Sequence, residues 1–134
     1  MASSAESELS KRFISSQREM YGKDLYIEKR LASKIGEPDI FALFKGMPFH
    51  GESKNINELS LKNNEEFKEI QINNLKIKER AGAMCVGILL HKKITKFLPL
   101  DMLHDYITKE EFLNAEEFNF ELLWKIWKNR MEQY

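Results

Sequence analysis

Large apolar residues recur along this chain mainly at helical spacing. Leu9, Phe13, Met20, Ile27 and Leu31 fall at intervals of four and seven, the period of one helical face. Ser3 and Glu6 ahead of them have the spacing of a capping box. Gly22 interrupts the run, as a break between two helices or as a weak point costing about 1 kcal/mol relative to Ala. Gly36-Glu37-Pro38-Asp39 then leads into Ile40-Phe41-Ala42-Leu43-Phe44 and Lys45-Gly46. Proline and an acid near the start, with lysine and glycine at the end, predict a short helix there, buried nearly all round.

From residue 49 to 63 the pattern dissolves into His, Gly, Ser, Asn and Lys, which predicts one long surface loop. Beyond it Phe67, Ile70, Ile77, Ala81, Met84 and Ile88 predict the longest helix, running to about Lys93. A rival reading takes residues 69–78 as a hairpin turning at Asn73-Asn74, because they also alternate at period two. An isolated hairpin is marginally stable, so the helix is preferred. Pro99 opens a short helix, Thr108 to Glu111 forms a second capping box and Asn114 to Glu117 a third. Phe120, Leu123, Trp124, Trp127 and Met131 make the end of the chain an amphipathic helix.

The expected fold is therefore all-α: a single domain over residues 1–134, a bundle of five to six helices, with residues 1–4 disordered and 49–63 as its long loop. An α+β fold with a small hairpin near residues 69–78 is the alternative. Composition agrees with one packed core: 43% of residues are hydrophobic, nine of them Phe, and the formal net charge is zero. One cysteine, Cys85, excludes an internal disulfide and fits a reducing, cytoplasmic setting. No signal peptide is expected at the start, and the longest apolar stretch, Ala81 to Leu90, is about half a membrane span.

The motif search points away from catalysis. Asp105 to Phe112 resembles the closing half of a calcium loop, but Leu100, Met102 and His104 stand where the opening carboxylates belong. Gly46 to Ser53 has the glycine spacing of a phosphate loop with Glu52 in place of its lysine. His50, His91 and His104 share no four-residue spacing, and Cys85 sits among apolar neighbours. Neither a metal site nor a cofactor is expected. Gly82, Ala83 and Gly87 predict a close helix crossing, and they would also serve a homodimer seam.

Charge is segregated under the neutral total. Lys76, Lys78, Arg80, Lys92, Lys93 and Lys96 face only Glu79 between residues 76 and 96, whereas residues 101–121 are strongly acidic. The sequence-level expectation is a non-enzymatic interaction or regulatory module, such as an adaptor, inhibitor or accessory subunit, with a protein partner. Its contact candidates are Lys92, Lys93 and Lys96, together with Trp124, Trp127, Lys128 and Arg130 on the last helix. Two alternatives stand beside it: an accessory nucleic-acid binder using the 76–96 segment, and an enzyme whose site is spread over loops with His50 and Glu52.

Overall fold

The computed structural model describes residues 4–30, 36–56, 67–104 and 106–133. Its centre is a six-stranded mixed sheet in the order β1-β2-β3-β4-β5-β6. Helix α1 (Ser4–Tyr21) precedes β1 (Leu25–Lys29), β2 (Ile40–Phe44) and β3 (Met47–Asn55). Helix α2 (Glu69–Arg80) crosses over to β4 (Met84–His91), which is parallel to β3. β5 (Ile94–Pro99), α3 (Lys109–Asn114), the two-residue β6 (Glu116–Glu117) and α4 (Phe120–Met131) complete the described chain. All other strand pairs are antiparallel.

The all-α expectation is thus overturned, and the reasons are local. Ile40–Phe44, read as a helix, is β2, and the Lys45-Gly46 pair is a two-residue hairpin turn rather than a helix stop. Both turn residues take left-handed backbone, at φ 48° and 86°, as the hairpin turn matching strand twist requires. Residues 49–55, read as the start of the long loop, belong to β3. β3 lies between β2 and β4, so its backbone is held from both sides whatever its side chains prefer.

The long helix expected from Phe67 to Lys93 exists only as far as Arg80. Gly82 at φ 112° turns the chain, and Met84–His91 is a strand buried along its whole length. Residues 69–78 are helical, so the alternative hairpin does not form either. The Thr108 capping box is present, with Glu111 N–H donating to Thr108 Oγ1 at 3.0 Å. The boxes at Ser3–Glu6 and the rest of the 49–63 loop lie outside the described side chains and residues. Residues 116–117 form β6 where the third box was expected.

Two apolar layers cover the sheet. α1 and α4 cover one face with Phe13, Ile14, Phe120 and Leu123 against Ile40, Phe44, Phe49, Val86 and Ile88. α2 and α3 cover the other, with Phe67, Leu75 and Phe112 against Cys85, Leu89 and Leu98. Each fully buried side chain of this size contributes about 2–3 kcal/mol. On α1 the inward face is Ser10, Phe13, Ile14 and Gln17, whereas Met20, assigned inward from the sequence, is 65% exposed. Among the described residues no helix is long and apolar enough to cross a membrane.

Candidate functional site

The chemistry concentrates at the carboxyl end of β3. Glu52, Ser53, Lys54 and Asn55 are four consecutive polar residues, each between 4% and 8% exposed, in the middle of the sheet. Burying such groups costs free energy unless something is gained, so a run of four marks a site. Strand alternation sends Glu52 and Lys54 to the same face, toward α2. There Gln71 Nε2 donates to Glu52 Oε1 at 3.1 Å, while Lys68 N–H donates to Gln71 Oε1 at 3.1 Å and fixes the amide's orientation. The Lys54 ammonium lies 5.7 Å from the centre of the Phe67 ring. Gly87 stands opposite Glu52 on β4, and a Cβ there would meet Phe67 Cζ at 2.7 Å. The missing side chain is what lets the Phe67 ring lie over the site.

Asp39 joins from the neighbouring strand. The β2–β3 register ends with Ile40 paired to Gly51, which brings Asp39, just ahead of β2, to Ser53 beside Glu52. Its carboxylate accepts from Ser53 N–H at 2.8 Å and from the Ser53 hydroxyl. Desolvation by the surrounding protein holds the Asp39 carboxyl above the ordinary carboxylate range, against the pull of the Ser53 hydrogen bonds and Lys29. The site therefore holds a carboxyl that its surroundings solvate poorly.

The chain approaches this end of the sheet as it does because β2 and β3 are joined by a two-residue turn at their far end. That turn fixes the register, and the register fixes where Asp39 meets β3. His50 precedes Glu52 on the same face, with its ring 5.2 Å from that of Phe41. Burial, then the charges of Lys78 and Arg30, lower its pKa to about 4, so it is a neutral ring at neutral pH.

Other candidates stand apart from this site. His91 Nδ1 bonds the Ile56 carbonyl, and His104 Nε2 lies 2.5 Å from Glu111 Oε2. Cys85 is buried, and burial pushes its thiol up to about 12, which leaves it unreactive. Among the described residues no group of three or more His, Cys, Asp or Glu is placed to hold a metal ion.

The residues singled out from sequence fall in three places. Lys92 and Lys93 form the β4–β5 turn, Lys92 at φ 52°. Lys96 donates to the Leu113 carbonyl at 2.9 Å and lies over the Phe112 ring. On α4, Trp124 Nε1 donates to Lys45 O and Trp127 Nε1 to Gly82 O, at 3.2 and 2.7 Å. Lys128 lies over the Trp124 ring, and Arg130 is 3.5 Å from Glu79. None of these is part of the Asp39–Glu52–Lys54 group. The sequence reading passed over Asp39 as a helix-start acid and Lys54 as loop. The available signal was Glu-x-Lys, two like-facing strand positions, following an acid at the head of the preceding apolar run.

No protein-family model matches the sequence, and no curated protein matches it. The solved structure of Hjc, a Holliday junction resolvase from the archaeal hyperthermophile Archaeoglobus fulgidus, matches with a TM-score of 0.60 at 18% identity. The match covers 80% of this chain and 94% of that one, so the likeness is one of fold over nearly the whole resolvase. It corrects the expectation of a non-enzymatic, regulatory helical module. That expectation rested on the lack of a catalytic constellation, and the chain carries a buried glutamate and lysine, with a half-buried aspartate, on a fold similar to that of a resolvase.

Proposed function

We propose that this chain is a nucleic-acid-cleaving enzyme, a hydrolase of DNA phosphodiester bonds that works with a divalent cation. The observation that carries the proposal is the convergence of Asp39, Glu52 and Lys54 at one end of the sheet, on the fold of a Holliday junction resolvase. The donor set supports magnesium or manganese rather than zinc. Mg²⁺ is held by one or two carboxylates with waters and substrate phosphate completing the shell, and the oxygens of Asp39 and Glu52 meet that requirement. The desolvated Asp39 carboxyl supports it too, since a bound cation would stabilise the charged form that burial disfavours.

In this reading Asp39 and Glu52 hold the cation, which when bound supplies a more acidic water and neutralises charge on the phosphate. Ser53 keeps the Asp39 carboxylate in place through its amide and hydroxyl, and Gln71 does the same for Glu52. Lys54 donates hydrogen bonds to the phosphate oxygens, where negative charge grows as water attacks phosphorus and the ester oxygen departs. The Phe67 ring keeps the lysine's stem dry and its charge undiluted by water. Lys92 and Lys93, from the basic segment expected to meet nucleic acid, supply phosphate contacts beside the site. A DNA substrate and the buried free thiol of Cys85 support a cytoplasmic place of action.

The test is cleavage of labelled DNA, as linear duplex, single strand and four-way junction, with Mg²⁺, Mn²⁺ or a chelator. Cleavage that needs the cation and falls at least ~100-fold in D39N, E52Q and K54M is expected. Purified protein that cleaves none of the three with either cation, or variants that cleave as well as the parent, would overturn the proposal.

A further inference from the structure

A groove runs between α1 and the carboxyl ends of β3 and β4. Its first cavity, about 380 Å³, begins at Asn55 and Ile56, immediately beyond Lys54, and is closed by Arg12, His91, Lys92 and Lys93. A second, about 220 Å³, continues between α1 and the β4–β5 turn and shares Arg12, Lys92 and Lys93 with the first. A third, about 230 Å³, carries the groove on past Gln17 and Thr95 to Phe118. Three cations line it against two acids, Glu8 and Glu117. Glu8 is 3.4 Å from Arg12, a contact between exposed groups that a phosphate can replace at little cost. Among the described residues neither Lys92 nor Lys93 has a carboxylate partner.

Gln17 is the second, independent observation. It lines two of the cavities, is 7% exposed, and its Oε1 has no hydrogen-bond partner among the described residues. A buried amide oxygen left this way costs about 1–3 kcal/mol. The exocyclic amine of a nucleobase is a donor that would satisfy it.

We propose that this groove binds a single nucleic-acid strand, with Arg12, Lys92 and Lys93 on its phosphates and Gln17 on a base edge. The inference rests on the nuclease reading and adds a substrate class to it: DNA that carries an unpaired strand. A base edge that reaches a buried amide such as Gln17 belongs to an unpaired, unstacked strand rather than to a duplex.

Binding can be read apart from cleavage. In the inactive E52Q background with chelator present, fluorescence anisotropy of a labelled single-stranded oligonucleotide gives affinity against salt. Each phosphate contact on a single strand contributes about 0.7 to the log–log slope. Losing three in R12A/K92A/K93A should flatten the slope by about 2, so the parent loses about 18-fold more affinity than the variant between ~50 and ~200 mM salt. R12K/K92R/K93R should keep the slope, K125A should match the parent, and Q17L should weaken binding with the slope unchanged. Circular dichroism checks that each variant is folded.

A parent slope that the triple neutralisation leaves unchanged, or a parent that binds no single strand, overturns the groove proposal. Should the parent still cleave blunt duplex in that case, the nuclease reading survives alone. Should the slope flatten as expected while no DNA is ever cut, the groove stands and the nuclease reading falls.

Discussion

Replacing Glu52 by Gln separates the site's cost from its use. Glu52 is 7% exposed and adjoins Ser53, which holds Asp39, whose carboxyl is already pushed up by desolvation. The amide keeps an oxygen for the Gln71 donor, while the cost of burying the charge disappears. Metal-free E52Q should therefore be more stable than the parent by about 1 kcal/mol. For 134 residues the unfolding entropy is about 0.28 kcal/mol/K, so Tm should rise about 4 °C. Cation binding adds a second readout. With ~10 mM Mg²⁺ and a two-carboxylate site of Kd ~1 mM, the parent gains about 1.4 kcal/mol, or ~5 °C. E52Q should show no such gain, and should cleave DNA at least ~100-fold more slowly. Scanning calorimetry with and without Mg²⁺, beside a cleavage assay, reads all three. An E52Q protein that gains the same ~5 °C from Mg²⁺ would refute the assignment of Glu52 to the cation.

Three further outcomes follow from the geometry. Gly87→Ala places a methyl 2.7 Å from both Phe67 Cζ and Leu103 Cδ2, so denaturant unfolding should show a loss of about 1–3 kcal/mol, with cleavage falling as Phe67 is displaced; a loss below ~0.5 kcal/mol would mean the layer yields freely. His50, neutral when folded, has a pKa lowered from 6.5 to about 4. The unfolded chain thus binds the extra proton across that window, and stability present above pH ~6.5 is lost as pH falls toward ~4. Discounted for partial exposure this is about 1–2 kcal/mol, and H50Q should flatten the curve of stability against pH by that amount; identical curves would count against the burial of His50. Thr108→Ala removes the cap on Glu111 N–H and should cost about 1 kcal/mol in thermal unfolding without changing cleavage.

Some of this was open to reading in the chain alone. The amphipathic C-terminal helix, the Thr108 cap, the helix through residues 69–78 and the burial of Cys85 all follow from local spacing and neighbours. Strand or helix at Ile40–Phe44 and Met84–Ile88 did not, for a definite reason. Apolar residues four apart share a face at period 3.6 and also at period two, so Ile40 with Phe44, and Met84 with Ile88, satisfy both. Only pairing with neighbouring strands chooses between them. The polar run at 52–55 misled in the opposite direction, because composition assigns Glu, Ser, Lys and Asn to the surface. The sheet buries them instead, and the β2–β3 register carries Asp39 across 14 residues of sequence to bond Ser53 beside Glu52. A site made by strand pairing has no sequence periodicity of its own. The residues were present in the chain, but their convergence belonged to the tertiary structure.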